Sequence, residues 1–315
     1  MRPRAPLTRL KPRSLRAGDN IGIVAPASYF KREEFEAGCQ ALHRLGYRPV
    51  FSEDIFARDL YFAGPVERRK RELEEMFQRA DVKAILCARG GYGSNYLLQE
   101  LEPMKIEHPK VLVGYSDITT LLTYFSDVAG WVTFHGPMVA KDFAISDGVD
   151  LVSWRAALEG KELTSFGLDS GLKPLCQGSA EGLLYGGCLS MLVASLGTPY
   201  EIHSQGTILF MEDVATKPFQ IDRMLMQLKL AGKLAGVRGI VFGEMLDCVQ
   251  APNQGYTLEE VMVRVVQDLQ VPTAYGLRSG HVSRQNITLP IGARVRLTVQ
   301  SSGATLEMLE PATVA

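Results

Sequence analysis

Short runs of β-branched and aliphatic residues alternate with longer amphipathic stretches through the first half of the chain. Apolar runs at 21–25, 48–51, 84–88, 111–114 and 131–134 are separated by stretches at 33–45, 66–81, 94–100 and 117–128 whose apolar residues recur every three to four positions. Strands of that length joined by helices predict βαβ crossovers, and so a parallel sheet covered on both faces. In such a sheet ligands sit at the carboxyl ends of the strands. The segment 66–81 is laced with charges at i,i+4 spacing and has Leu73, Met76, Phe77 and Ala80 for an apolar face, which reads as a solvated helix without a binding role. From 141 to 178 the pattern loosens into Gly, Ser, Asp and Pro, the composition of a connection between domains. Beyond it come predicted strands at 180–185, 207–211, 239–242, 294–299 and 304–308, with helices at 188–196, 219–231 and 258–269. Without strict alternation, this half predicts a smaller, β-rich α/β domain with a mixed sheet. The expected division is 1–140, a linker at 141–178, and 179–315.

A length of 315 residues agrees with two domains. The apolar fraction of 46% argues against disorder, and 34 Lys and Arg against 35 Asp and Glu argue against a nucleic-acid surface driven by bulk charge. No apolar run approaches the roughly 18 residues of a membrane helix. The opening segment, with Arg2, Arg4, Arg9, Lys11, Arg13 and Arg16 but no apolar stretch, is no secretory signal and reads as a ragged leader. The expectation is a soluble, cytoplasmic protein with a small or peptidic partner, no nucleic acid and no membrane. Cys39, Cys87, Cys176, Cys188 and Cys248 are odd in number and lack any C-x-x-C pair, which fits neither a disulfide framework nor a zinc site. They read as reduced, mostly buried small hydrophobes.

Candidate chemistry concentrates at strand ends. At Val111-Leu-Val-Gly-Tyr-Ser-Asp-Ile-Thr-Thr a buried-type strand stops at Gly114 and a helix begins within two residues of Ser116. A serine on such a turn is pushed out at the sheet edge beside the free N–H groups of the incoming helix, as a nucleophile requires. The same spacing suits Ser116 or Asp117 as a plain N-cap, and Ile118 stands where the G-x-S-x-G elbow has its second glycine. Upstream, Arg89-Gly-Gly-Tyr-Gly follows a strand and opens a helix, so its backbone N–H groups suit a phosphate, an oxyanion or simply a tight turn. A hydroxyl nucleophile needs a base near neutrality, the role for which histidine is suited. His43, His108 and His203 lie in structural or solvated contexts, whereas His135 ends a strand at the functional edge and His281 sits in a polar loop after Gly280. Glu212 and Asp213 end the apolar strand at 207–211, where an acid either orients an imidazole or caps and pairs.

Seven motifs in order resemble those of the LD-carboxypeptidases, serine peptidases also called muramoyltetrapeptide carboxypeptidases. They are Gly22-Ile-Val-Ala-Pro-Ala-Ser, Arg89-Gly-Gly-Tyr-Gly, Gly114-Tyr-Ser-Asp-Ile-Thr, His135-Gly-Pro-Met, Glu181-Gly-Leu-Leu-Tyr-Gly-Gly-Cys-Leu, Phe210-Met-Glu-Asp with Ile221-Asp-Arg-Met-Leu, and Gly280-His-Val-Ser-Arg-Gln-Asn. The resemblance implies a flavodoxin-like N-terminal domain bearing the nucleophile, and a second domain bearing the rest of a Ser-His-Glu triad. It makes Ser116 the nucleophile, His281 the base and Glu212 its orienting acid, with the N–H groups of Asp117 and of Gly90 or Gly91 as oxyanion donors. Arg89 is the best-placed cation for a terminal carboxylate. The implied reaction is release of D-alanine from a murein tetrapeptide by a homodimer that uses no metal or organic cofactor. Thr216 and Phe219 depart from the family pattern of a second acid and a Tyr, which bears on substrate contacts and leaves the triad untouched. A relative of other specificity, cleaving a peptide–nucleotide antibiotic, keeps the same triad but differs around this loop, and Ile221-Asp-Arg favours the murein branch. From another class, a nucleotide- or anion-binding protein would use Arg89-Gly-Gly-Tyr-Gly as its cradle.

Overall fold

A computed structural model describes residues 9–101, 108–160, 163–249 and 254–315; Arg2 and Arg4 of the basic leader lie outside them. The N-terminal half runs β1 (Asn20–Val24), α1 (Arg32–Arg44), β2 (Arg48–Val50), α2 (Val66–Gln78), β3 (Val82–Cys87), α3 (Leu98–Leu101), β4 (Val111–Gly114), α4 (Thr119–Asp127) and β5 (Thr133–His135). The five strands are parallel, in the order β5-β4-β3-β1-β2. This is the doubly wound, flavodoxin-like order. Successive strand residues point to opposite faces, and both faces are covered. Ile21, Ile23, Leu86 and Val113 meet Phe35 and Leu42 of α1, while Ile85 and Leu112 meet Leu73 and Met76 of α2 and Leu121 and Leu122 of α4.

The stretch 141–178 holds more than a connection. It contains α5 (Leu151–Glu159), β6 (Ser165–Phe166) and β7 (Lys173–Cys176). Asp150 caps α5 by accepting the Ser153 N–H at 2.7 Å, and Gly160 closes it in the left-handed conformation. Trp154 and Leu158 then complete the N-terminal core beside α1. The short apolar face of α5 is hidden in the sequence by the turn-forming residues on either side.

The C-terminal half continues β8 (Gly178–Cys188), α6 (Leu189–Ala194), β9 (Thr207–Glu212), α7 (Pro218–Leu230), β10 (Gly239–Gly243), α8 (Leu258–Val266), β11 (Thr273–Leu277), β12 (Leu289–Ile291), β13 (Arg294–Gln300) and β14 (Gly303–Met308). Its sheet has eight strands in the order β6-β14-β13-β8-β9-β10-β11-β7, parallel through β8–β9–β10–β11 and antiparallel at both flanks. Phe210, Val241, Leu225 of α7 and Met262 of α8 share its core. β12 leaves this half and pairs antiparallel with β5, Leu289 opposite His135 and Ile291 opposite Thr133, so the first sheet has six strands.

Two sequence expectations need correction. The leader from Arg9 to Arg16 is tied down, because Leu10 N–H reaches Gly130 C=O at 2.7 Å, Ser14 reaches Val314 at 2.7 Å and Leu15 reaches Leu158 at 2.8 Å. Helix α2 is not simply solvated: Arg68, Arg69 and Glu72 are buried with its apolar face. Glu72 accepts the Ala25 N–H and pairs with Arg68 at 2.9 Å. Arg69 donates to the Pro26 and Gly93 carbonyls, each at 2.7 Å. A charge inside requires such partners, and these carbonyls belong to the loops that follow β1 and β3.

Candidate active site

The carboxyl ends of β3 and β4 lie side by side. Ser116 follows β4 and opens a 3-10 turn, Ser116–Ile118, that leads into α4. Its φ is +63°, in the left-handed region that a non-glycine residue enters at a cost. Neither Ser116 nor Asp117 makes a capping bond to the turn or to α4. The Asp117 carboxylate turns away to accept the Ser94 N–H at 2.8 Å, while Ser94 Oγ donates to the Asp117 carbonyl. The N-cap reading of this motif is therefore set aside. A Cβ on Gly114 would lie 2.7 Å from the Ile118 side chain, so the space for close helix approach is made at Gly114, and Ile118 fits where the elbow motif has glycine.

The Arg89–Gly93 turn touches Ser116 directly. A Cβ on Gly90 would stand 2.9 Å from Ser116 Cβ, so only glycine lets the turn sit there. The turn is also held from below: Gly90 C=O accepts the Ser28 N–H at 3.1 Å, and Ser28 Oγ accepts the Tyr92 N–H at 3.0 Å. Among the described residues no backbone acceptor takes the N–H of Gly90 or Gly91. The Asp117 N–H lies in a first helical turn, where no intrahelical acceptor exists. Arg89 is exposed. Burial and Asp142 raise the Tyr115 hydroxyl pKa, and the charge of Arg89, on the turn that follows β3, opposes that rise.

The second group comes from the other half. Glu212 ends β9, fully buried, and its Oε2 lies 2.8 Å from His281 Nδ1 and accepts the His281 backbone N–H at 3.0 Å. An ionised carboxylate only accepts, so Nδ1 carries the imidazole proton and Nε2 keeps a free lone pair. Burial opposes ionisation of Glu212, but the charge of His281 and the nearness of His135 outweigh it and hold the carboxyl well below its ordinary range. For His281, burial favours the neutral ring, and the Glu212 charge with its hydrogen bond reverses this and raises the pKa. Gly280 makes the approach possible: its φ is +95°, and a Cβ would fall 2.5 Å from Glu212 Cδ. Asp213 faces elsewhere and anchors the start of α6 by accepting the Ser190 N–H at 2.9 Å.

Tyr115 links the two groups. Its ring meets the His281 ring edge-on at 5.1 Å between centroids, and it is the residue before Ser116. The hydrogen bonds of His281 run to Glu212, and among the described residues none joins it to Ser116. Catalytic hydrogen bonds are commonly long before substrate binds. Several neighbours of this site were not singled out from the sequence. Asn286 ties the His281 loop to the N-terminal half, accepting the Gly280 N–H at 2.9 Å and donating to Asp142 at 3.2 Å. Burial pushes the Asp142 carboxyl up to about 6. His135, singled out as the end of a strand at the functional edge, is wholly buried with Nε2 3.7 Å from Glu212 Oε1. Cys188 Sγ, a Glu212 oxygen and a His281 nitrogen all lie within 4.8 Å of one another. A cavity of about 520 Å³ adjoins the Gly-rich turn, between Tyr92 and Tyr96 on one side and Thr123, Met191 and Tyr200 on the other.

Residues 21–136 match the family of LD-carboxypeptidase N-terminal domains, and residues 181–297 match that of LD-carboxypeptidase C-terminal domains. The chain belongs to the LD-carboxypeptidase family. It is 37% identical over 301 residues to a probable murein peptide carboxypeptidase of Bacillus subtilis, covering 94% of each chain. The solved structure of a muramoyltetrapeptide carboxypeptidase from Oxalobacter formigenes superposes with a TM-score of 0.83 at 30% identity, over 93% of this chain and 99% of that one. The microcin C7 self-immunity protein MccF of Escherichia coli is 28% identical over 319 residues, covering 90% of this chain and 91% of that protein. This LD-carboxypeptidase has a mixed α/β fold with a parallel N-terminal sheet and a second, β-rich domain. Among its described residues no helix is long and apolar enough to cross a membrane.

Proposed function

We propose that the protein is a cytoplasmic serine carboxypeptidase that releases terminal D-alanine from murein tetrapeptides, acting as a homodimer. The observation that carries this reading is the buried Glu212–His281 pair, 2.8 Å apart, whose imidazole meets the ring of Tyr115, the residue before Ser116, at 5.1 Å between centroids. Five unpaired cysteines agree with a reducing compartment.

Ser116 Oγ attacks the carbonyl of the amide that joins the L-centre of the diamino acid to D-alanine. His281 Nε2 takes the hydroxyl proton, and the Nδ1–H bond to Glu212 strengthens as the ring gains charge. The N–H groups of Asp117 and of Gly90 or Gly91 receive the developing oxyanion. The imidazolium then protonates the leaving amine, and water, activated by the same base, hydrolyses the acyl-enzyme. Arg89, exposed on the turn that follows β3, is the cation for the terminal carboxylate. The cavity between Tyr92 and Met191 gives the rest of the stem peptide room.

The test is mass spectrometry of a murein tetrapeptide incubated with the protein. The expected result is loss of one alanine by the wild type and a rate lower by about 10³ or more for Ser116→Ala, since triad members act as a unit. Comparable turnover by the variant would overturn the assignment of Ser116. The similarity to MccF supports a second substrate, an acyl-sulfamoyl or peptidyl nucleotide; faster cleavage of such conjugates than of tetrapeptide would move the protein to that branch. A nucleotide-binding role without catalysis predicts thermal stabilisation by nucleotides and no cleavage of either substrate.

A further inference from the structure

We infer that Cys188, Glu212 and His281 form an inhibitory site for a soft divalent cation of the zinc and cadmium type. The three side chains supply one sulfur, one oxygen and one nitrogen donor, all within 4.8 Å of one another and all buried. This is a donor set for which such cations are suited and magnesium or calcium is not. Tetrahedral ligands of zinc stand about 3.5 Å apart, so modest side-chain rotations bring these atoms into range.

A second observation concerns the same carboxylate. Among the described residues Glu212 Oε1 and His135 Nε2 are buried, take no hydrogen-bond partner and lie 3.7 Å apart. The Ser279 hydroxyl spends its one proton on the Ile287 carbonyl at 2.8 Å, so it accepts from His135 Nδ1 at 3.0 Å, which leaves Nε2 as the nitrogen with a lone pair, on the side of Glu212. Glu212 thus has an oxygen that takes no hydrogen bond and a second imidazole nitrogen 3.7 Å from it.

Binding follows a balanced exchange. The cation forms a bond to Cys188 sulfur, and the thiol proton leaves to solvent. If it takes His281 Nδ1, the imidazole proton moves to Nε2, which becomes a donor; if it takes Nε2, the lone pair is occupied. By either route His281 can no longer accept a proton from Ser116. The inhibition rests on the triad proposed above; the binding itself does not.

The experiment uses the whole chain, without substrate in its first arm. Equilibrium dialysis with Zn²⁺ is expected to give one equivalent bound, and titration with Cd²⁺ is expected to give the ultraviolet thiolate-to-cadmium band, while Mg²⁺ gives neither. Cys188→Ser, nearly isosteric, should lose the band and weaken binding by about tenfold or more. In the second arm, Zn²⁺ should abolish tetrapeptide hydrolysis reversibly on chelation, and Cys188→Ser should stay active and become resistant. Absence of bound cation in the wild type, or an unchanged band and affinity in Cys188→Ser, overturns the site whether or not the peptidase reading holds. Stoichiometric Zn²⁺ binding without loss of activity would overturn the inhibition alone.

Discussion

Ser116 carries a conformation that its own side chain disfavours. At φ +63° a residue with a Cβ costs about 1 kcal/mol or more relative to glycine, and the surrounding contacts must hold it there. Ser116→Gly is therefore expected to be inactive yet about 1 kcal/mol more stable than Ser116→Ala, read by urea denaturation of the two variants. Equal stability would mean that the turn is not strained. The Glu212–His281 pair makes a second statement at this scale. A depressed Glu212 pKa contributes stability above its ordinary 4.5, lost as pH falls toward the folded value. A raised His281 pKa contributes stability below its ordinary 6.5, lost as pH rises through the folded value. One ion pair underlies both, so its stabilisation is complete between those two values, where the base is charged and idle. In the proposed mechanism activity should instead rise through an acid limb whose midpoint lies above 6.5, measured as kcat/KM against pH, because there only neutral His281 accepts the serine proton. Glu212→Gln should lower the rate and move that midpoint down.

Helix α2 shows what an element's charge pattern conceals. Its sequence offers six charged side chains in the first seven positions, and amphipathic spacing treats them alike. The structure divides them. Arg71 reaches Asp54 at 2.8 Å in solvent, whereas Arg69 is buried and bonds the carbonyls of Pro26 and Gly93. Arg69→Met should cost about 2–4 kcal/mol, since two buried carbonyls lose their donor, and should also lower turnover by loosening the Gly-rich turn. Arg71→Ala should cost under about 0.5 kcal/mol in the same denaturation series. A similar small cost for both would show that the loops are held by other means. The parallel strands were legible because burial on both faces makes them continuous apolar runs, and Ser116, Glu212 and His281 stood out because each follows a strand or a glycine. Arg69, Asn286 and Cys188 gave no such signal. Their importance comes from which loops fold over them, and local spacing does not encode that. α5 and β12 were missed for a related reason: nine and three residues long, they gain their stability from a core built elsewhere in the chain.

The two halves of the molecule share more than a cleft. β12 arrives from the second half and fills the edge of the first sheet beside β5, and α5 seals the face that α1 leaves open. Thr119 Oγ1 at the start of α4 accepts the Cys188 N–H at 3.0 Å, so the helix behind Ser116 is pinned to the strand that leads to the second core. Asn286 joins Asp142 across the same seam at 3.2 Å. Opening one half would strip β5 of its antiparallel neighbour, expose Trp154 and Leu158, and take from the buried Asp142 carboxyl its bond to Asn286, so neither half reaches a stable state without the other. Calorimetry is expected to show a single transition whose van't Hoff and calorimetric enthalpies agree, in place of the two steps of separable domains. The same argument predicts that a fragment ending at residue 140 fails to fold. Two resolved transitions, or a folded fragment with native-like amide protection in β5, would mean that the interlock is only geometric, and Ser116 and His281 would then be free to part by rigid-body motion. With one cooperative unit, the approach of His281 to Ser116 that the proposed mechanism requires is confined to side-chain and loop adjustment around Gly280 and Tyr115.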